Sequence, residues 1–244
     1  SSDERYGLQK CSVTVGYQLS YPDETISQLS PQECKKLKRE GLYICMIKNP
    51  NPVAKNVTPQ LSDAAFIREK VPMTKEEIRH VSICKLHLKS DSVLYDVGSG
   101  TGSIAVEAAS LSDDMEVYAI EQKENAVQLI TQNKEKHRLE NIHVINAKAP
   151  DGMDNLPVPT HAFIGGSSGN LKEIIEALKA KNPHIRIVIN AISMETICEI
   201  KEIMSAYDVK NEDIVQLQVS RSKQIGHYHL MQAENPVWIC SFEF

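Results

Sequence analysis

The sequence lacks two features that would place the protein in a membrane or on a nucleic acid. No apolar run approaches the roughly 20 residues that a membrane-spanning helix needs, although 41% of the residues are hydrophobic. Positive charge is not in excess, because 27 lysines and arginines face 32 acidic residues and the two signs are interspersed along the 244 residues. We therefore expect no membrane span and no nucleic-acid partner.

The sequence also lacks the spacings that are typical of metal and nucleophile sites. It contains no Walker loop, no recognisable catalytic triad and none of the Cys/His spacings of zinc proteins. We therefore predict no metal site and can name no catalytic residue. The six cysteines include no C-x-x-C pair and predict free thiols in a reducing cytoplasm; they are Cys11, Cys34, Cys45, Cys84, Cys198 and Cys240.

One stretch gives the strongest positive signal. An apolar run over residues 93–97 leads into a glycine-rich turn made of Gly98, Ser99, Gly100, Thr101 and Gly102. The residues that follow have the small-residue pattern of a helix. A strand-to-helix turn of this kind brings bare backbone and a helix N-terminus to a ligand, since glycine has no Cβ to hold the ligand off. We therefore predict a cofactor site here.

Spacing and charge indicate which cofactor. Ser103 stands where the dinucleotide fingerprint G-x-G-x-x-G has its third glycine. Asp96 would repel a pyrophosphate but suits a cationic ligand, and Glu121 ends the next strand at a spacing that allows bonds to ribose hydroxyls. These features favour S-adenosylmethionine, which is cationic and carries no phosphate. Two alternatives stay open: a nicotinamide dinucleotide bound by a variant fingerprint, and a tight connection that binds nothing.

The rest of the chain predicts a Rossmann-like α/β fold. Strand and helix patterns alternate as far as residue 213 and then become strand-like, with a polar connection over 220–228. This order predicts a seven-stranded, mostly parallel sheet whose last strand is antiparallel. Ligands in such a sheet lie at the carboxyl ends of strands. We therefore expect Ala149 near the cofactor, and place the substrate at the strand end formed by Gly165, Gly166 and Ser167.

The segment ahead of the glycine turn predicts a helix over residues 75–88. Thr74 has Glu77 three residues further on, which is the pattern of a capping box. Charged residues of the helix are expected on its solvated face, namely Arg79, His80, Lys85 and His87.

The first residues predict a separate small unit. A strand, a loop, a helix and a second strand within 50 residues form a βαβ-like piece that is too small to bury a core by itself. We divide the chain into an N-terminal fragment over 1–57, a linker over 58–65 and a main domain over 66–244. Because the sequence begins abruptly with a polar stretch, we expect that the chain was cut from a longer protein.

Several segments together carry a family resemblance. They are Val71-Pro72-Met73-Thr74-Lys75, the glycine turn from Asp96 to Ser103, Ala149-Pro150, Phe163-Ile164-Gly165-Gly166-Ser167, Asn190-Ala191-Ile192, Ser220-Arg221-Ser222 and Tyr228-His229. From Phe66 to Phe244 the chain resembles the carbon-15 methylating half of the decarboxylating precorrin-6Y methyltransferases of cobalamin biosynthesis. The N-terminal fragment, with Leu19-Ser20-Tyr21-Pro22-Asp23-Glu24, resembles the end of their fused tetrapyrrole methylase half.

The resemblance implies methylation of a precorrin by S-adenosylmethionine, coupled to decarboxylation of an acetate side chain. The cofactor residues are then Thr74, Asp96, Gly98, Ser99, Gly100, Thr101, Gly102, Glu121 and Ala149. Because the substrate carries many carboxylates, cations are expected around it, and the substrate residues are Gly165, Gly166, Ser167, Arg221, His227 and His229. Lys148 departs from the family, which often has an acid at that position.

The resemblance also implies partners. It suggests a homo-oligomer, specifically a tetramer, and a remainder of the tetrapyrrole methylase half upstream. Two other classes of function stay open. One is a methyltransferase that acts on a different small molecule or on RNA, and the other is a module that binds S-adenosylmethionine without turnover.

Overall fold

The computed structural model describes residues 11–38, 40–50 and 58–244. Contacts divide the chain into two compact units, residues 1–55 and 56–244. The polar start over 1–10 and residues 51–57 of the expected N-terminal fragment lie outside the described residues. Within the described ranges, no helix is long and apolar enough to cross a membrane.

The N-terminal unit is an antiparallel sheet and not the expected βαβ-like piece. It consists of β1 (Ser12–Tyr17), β2 (Thr25–Leu29), α1 (Pro31–Cys34) and β3 (Tyr43–Lys48). β1 lies in the centre and pairs antiparallel with both neighbours. β2 was not predicted: it begins at the end of the segment expected as a loop, residues 16–26, because a short connection favours an antiparallel hairpin whereas a parallel pair needs a long crossover.

The second unit alternates strands and helices. In chain order it contains a 3₁₀ turn (Asp63–Ala65), α2 (Glu76–Leu86), β4 (Val93–Val97), α3 (Ser103–Ala109), β5 (Glu116–Glu121), α4 (Glu124–Lys136), β6 (Ile142–Asn146), β7 (His161–Ile164), α5 (Leu171–Lys181), β8 (Arg186–Ala191), α6 (Met194–Ala206), β9 (Lys210–Leu217), β10 (Ser220–Ile225), β11 (Tyr228–Ala233) and β12 (Val237–Glu243).

Seven of these strands form the predicted sheet. Their order is β6-β5-β4-β7-β8-β12-β9. The first five are parallel, and β12 runs antiparallel to both β8 and β9. The Rossmann-like fold predicted from the sequence is therefore confirmed. The carboxyl ends of the five parallel strands meet along one edge, which is where ligands bind in such sheets.

The sheet has a hydrophobic core on each face. Tyr95 and Val97 of β4 pack with α5 and α6 on one face, whereas Leu94 packs with α2, α3 and α4 on the other. Alternate side chains of a strand point to opposite faces. Asp96 is therefore on the same face as Leu94, beneath the helix that follows the glycine turn.

Some local predictions were wrong. α2 begins at Glu76 with Lys75 as its N-cap, so Thr74 does not form a capping box. The stretch over 220–228 is not an irregular connection, because β10 and β11 pair antiparallel as a two-stranded hairpin. Its register joins Ser220 to Ala233 and Ile225 to Tyr228.

Arg79 was expected on the solvated face of α2 but is fully buried. Its Nε donates to Glu107 of α3 at 2.9 Å, and both side chains are inaccessible to solvent or nearly so. A buried charge is retained only when a partner compensates it. Glu107 also accepts from the backbone of Gln60 and Leu61, which ties the stretch expected as a linker to the second unit.

We expect the substitution Glu107→Ala to destabilise the fold strongly, because it leaves the guanidinium of Arg79 buried without its carboxylate. The free energy of unfolding should fall by about 3–5 kcal/mol, measured by urea denaturation. Glu116→Ala is the control, since Glu116 makes only an exposed side-chain contact with His143 and its loss should cost less than about 1 kcal/mol. Similar losses in the two variants would contradict the assignment.

Candidate active site

A cavity of about 470 Å³ lies at the carboxyl ends of the parallel strands. Its walls come from the segment before α2, the turns after β4, β5, β6, β7 and β8, and the residues just before β12. The residues predicted for the site that line it are Thr74, Gly98, Ser99, Gly100, Glu121, Ala149, Gly165, Gly166 and Ser167.

The glycine turn after β4 forms the floor of the cavity. The backbone N–H of Gly98 donates to the carbonyl of Ile120 at 2.9 Å, which joins the turn to the neighbouring strand. Gly98 has a φ of +67°, and a Cβ there would lie 2.8 Å from Gly166 N and closer still to its carbonyl oxygen. Only glycine fits a left-handed position with a second backbone this close. The turns after β4 and β7 are therefore in direct backbone contact.

Asp96 lies beneath the turn and is fully buried. Its Oδ2 accepts from Ser99 Oγ at 2.6 Å and from the backbone N–H of Ala105 at 3.2 Å. Its Oδ1 has no hydrogen-bond partner within the described part of the chain. Burial raises the pKa of Asp96 to about 7, against the lowering effect of its two hydrogen bonds. One buried oxygen of Asp96 is therefore left without a hydrogen bond among the described residues.

Glu121 supports the same turn from the end of β5. Its Oε2 accepts from the backbone N–H of Gly100 at 3.0 Å. Its Oε1 accepts from the backbone N–H groups of Gln122 and Lys123, both at 2.9 Å. Glu121 also faces the cavity. The sequence placed this carboxylate at the site, but the bond to Gly100 depends on the sheet register and could not be read from the spacing.

The loops that follow β6 and β7 form two further walls of the cavity. Gly165 N donates to the carbonyl of Val97 at 2.9 Å, which holds the start of the β7 loop against β4. Further along that loop, Ser168 Oγ accepts from Gln122 Nε2 at 2.7 Å. At the end of that loop, Asn170 Nδ2 donates to the carbonyl of Ala149 at 3.2 Å, which joins it to the loop after β6. The walls on either side of the glycine turn are therefore fixed by hydrogen bonds.

The remaining predicted residues do not line the cavity, as far as the described residues show. Asp96, Thr101 and Gly102 lie just behind the wall, where Gly102 is the N-cap of α3. Arg221, His227 and His229 belong to the β10–β11 hairpin and are exposed.

Arg221 is instead engaged at the rim. It forms an ion pair with Glu77 and a second with Glu234, whose carboxylate is 3.6 Å from its Nε. Glu234 does line the cavity. The side chain of Glu234 therefore lies between Arg221 and the cavity.

Other lining residues were not predicted. Gln122 and Lys123 follow a strand end that was already assigned to the site, so their position could have suggested them. Glu234 and Asn235 follow β11, whose hairpin structure was not foreseen. The described residues contain no group of His, Cys, Asp and Glu side chains suited to a metal ion. The arrangement can hold a cationic ligand against bare backbone and bring a second molecule close to it.

The comparisons with known proteins all point to one family. Residues 64–243 match the family model of the precorrin methyltransferase domain. The cobalt-precorrin-6B C(15)-methyltransferase (decarboxylating) of Salmonella typhimurium is 34% identical over 181 residues, which cover 73% of this chain and 93% of that protein.

Solved structures agree with the family match. Precorrin-6y C5,15-methyltransferase from Geobacter metallireducens superposes with a TM-score of 0.72 at 31% identity, covering 78% of this chain and all of that one. Precorrin 8W decarboxylase from Methanobacterium thermoautotrophicum gives 0.70 at 30% identity, covering 75% and 99%. With the glycine turn, the two buried acids and the seven-stranded sheet in place, the chain belongs to the precorrin methyltransferase family.

Proposed function

We propose that the chain transfers a methyl group from S-adenosylmethionine to carbon 15 of a precorrin of the cobalt-precorrin-6B type, and couples this transfer to decarboxylation of an acetate side chain in cobalamin biosynthesis. The observation that carries the proposal is the cavity above the Gly98 turn in a member of this family. The Salmonella relative is named for both parts of the reaction.

The site residues fit S-adenosylmethionine better than a dinucleotide. The buried carboxylate of Asp96 has an oxygen without a partner in the described chain, and Glu121 places a second acid at the cavity. Both favour a cation and disfavour a pyrophosphate. When bound, S-adenosylmethionine supplies an electrophilic methyl group on a sulfonium. We place its amino-acid part at the glycine turn, with Glu121 at the ribose and Thr74 and Ala149 beside it.

In this proposal the protein contributes mainly by positioning. The contact between Gly98 and Gly166 keeps side chains away from the place where the planar ring meets the donor. Alignment of two reactants can account for about 7–11 kcal/mol of a barrier. The electron-rich ring would provide the nucleophilic carbon; the carbon–sulfur bond to the methyl group would break to leave S-adenosylhomocysteine, and the methylated ring would lose a proton. Cleavage of the bond to the acetate carboxyl releases carbon dioxide, the conjugated ring accepts the electron pair, and a proton replaces the lost group.

The substrate side of the site comprises Gly165, Gly166 and Ser167 together with the β10–β11 hairpin. The carboxylates of a precorrin require cations, and we assign Arg221, His227 and His229 to them. Arg221 lies close to the cavity, because it contacts Glu234, which lines the cavity.

The proposal extends to assembly. The hairpin exposes large apolar side chains at Ile225, Tyr228, Leu230 and Met231, and exposed apolar groups of this kind support a homo-oligomer, for which we propose a tetramer.

We also propose that residues 1–57 are the end of a tetrapyrrole methylase domain whose remainder lies upstream, and that the protein works in the cytoplasm.

Two measurements separate this function from its alternatives. Titration calorimetry should show binding of S-adenosylhomocysteine and none of NADH; the reverse would overturn the cofactor assignment. The visible absorbance of a tetrapyrrole should change when the chain is added, because the tetrapyrrole binds. RNA should not bind to the chain. If the chain methylated RNA, the assignment of a methyltransferase fold would stand, but the assignment of a precorrin as methyl acceptor would be wrong.

We expect Gly98→Ala to weaken binding of S-adenosylhomocysteine by about tenfold or more, since the turn must shift away from Gly166. Gly169→Ala is a matched control. Gly169 has a φ of +83°, but a Cβ there meets nothing within 4 Å. The control should therefore lose about 1–2 kcal/mol of stability from backbone strain and keep its affinity. Calorimetry with both variants decides the matter, and equal affinities would contradict the role of the contact.

We expect Glu121→Ala to lose about 1–3 kcal/mol of affinity for S-adenosylhomocysteine. Glu124→Ala removes an exposed carboxylate near the start of α4 and should change nothing. A ligand lacking the 2′-hydroxyl separates the two roles of Glu121. The parent should prefer the intact ribose, and Glu121→Ala should have lost that preference. A preference that persists would show that Glu121 only supports the turn.

For Arg221→Glu we expect the KM for the tetrapyrrole to rise about tenfold or more, because the reversed charge repels the carboxylates of the substrate. The KM for S-adenosylmethionine should stay the same. Lys210→Glu makes the same charge change at the exposed start of β9, at the end of the sheet away from the cavity, and serves as the control. Steady-state kinetics in which Arg221→Glu keeps the parental KM would remove the hairpin from the substrate site.

A further inference from the structure

One wall of the cavity has little regular structure of its own. Residues 60–75, which we call the wall segment, contain only the three-residue 3₁₀ turn Asp63–Ala65 before α2 begins. The end of the wall segment, from Val71 to Lys75, lines the cavity. The carbonyl of Pro72 lies so close to the glycine turn that a Cβ at Gly100 would be 3.2 Å from it. Something outside this segment must hold it in place.

The guanidinium of Arg79 contacts four residues of the wall segment. Its Nη1 donates to the carbonyl of Thr74 at 2.8 Å and to Asp63 Oδ1 at 3.2 Å. Its Nη2 donates to the carbonyl of Leu61. The plane of the same group lies over the ring of Phe66, 4.6 Å from its centroid. One side chain therefore joins the beginning, middle and end of the wall segment.

Glu107 completes this anchor from α3. One carboxylate oxygen accepts from Arg79 Nε at 2.9 Å. The other accepts from the backbone N–H groups of Gln60 and Leu61 at 2.7 and 2.9 Å. The pair is buried, so water does not weaken the interaction as it does at a surface.

A second anchor lies on α4. The side chain of Asn133 accepts from the backbone N–H of Ile67 at 2.7 Å and donates to its carbonyl at 2.8 Å. It also donates to the carbonyl of Thr101 in the glycine turn at 2.9 Å. The wall segment and the glycine turn are thus held to the same helix.

We propose that Arg79, which is outside the cavity, is a positioning residue for the cofactor: it sets the distance between Thr74 and the glycine turn by fixing the wall segment. This inference rests on the proposed use of S-adenosylmethionine. A planar group with five donors can reach Glu107, Asp63 and two carbonyls at once, whereas a lysine has a single nitrogen. Arg79→Lys therefore keeps the charge and loses most of the anchor.

The test compares Arg79→Lys with Arg186→Lys. Arg186 is also nearly buried, pairs with Glu243 and donates to the carbonyl of Lys85. It begins β8, at the end of the sheet away from the cavity. Both variants should lower the melting temperature. Only Arg79→Lys should weaken S-adenosylhomocysteine binding, by about tenfold or more, and raise the KM for S-adenosylmethionine while kcat at saturation stays within about twofold.

Hydrogen exchange gives a readout that does not depend on the ligand. Peptides covering residues 60–75 should exchange faster in Arg79→Lys than in the parent, and at the parental rate in Arg186→Lys. If Arg79→Lys does not fold, Glu107→Gln, which retains an oxygen for the backbone of Gln60 and Leu61, should show the same effects in weaker form.

The outcomes are distinct. A parent that binds S-adenosylhomocysteine and a folded Arg79→Lys that binds it equally well would overturn the inference and leave the proposed function standing. Equal loss of affinity in Arg186→Lys would also overturn it, because the effect would then be general destabilisation. A parent that binds no S-adenosylhomocysteine would overturn both.

Discussion

The site depends on one close approach of two backbones. The turn after β4 and the turn after β7 meet at Gly98 and Gly166, with no space for a side chain between them. The parallel register of these strands brings the two turns to the same edge of the sheet. Because neither turn can move without the other, this single contact fixes the relative position of the two turns, which in the proposed function hold the methyl donor and the acceptor.

Buried charged side chains support the backbone around this contact. Asp96 and Glu121 support the glycine turn from below and from the neighbouring strand, and the buried pair of Arg79 and Glu107 holds the wall segment. Burying such groups is costly unless they are paired. The domain therefore uses its buried polar groups where backbone geometry must be kept, and its two hydrophobic cores supply the stability.

Much of this arrangement could be predicted from the sequence. The glycine turn, Asp96 and Glu121 are local signals whose spacing along the chain follows from strand and helix lengths, and they place the cavity correctly. The burial of Arg79 could not be predicted, since its partner is 28 residues away in α3 and helix periodicity does not show which charged residue meets it. The hairpin of β10 and β11 was missed for a related reason: both strands are exposed along their whole length, so no buried face gives them a regular alternation of apolar and polar residues.

The most direct measurement is the mass of the product. The chain is incubated with cobalt-precorrin-6B and S-adenosylmethionine that carries an isotopically labelled methyl group. The mass of the tetrapyrrole product is then measured by mass spectrometry. Our account predicts a product that has gained one labelled methyl group in place of a hydrogen and has lost one carbon dioxide. An unlabelled tetrapyrrole, under conditions where S-adenosylmethionine is bound, would contradict the assignment of this cavity to methyl transfer.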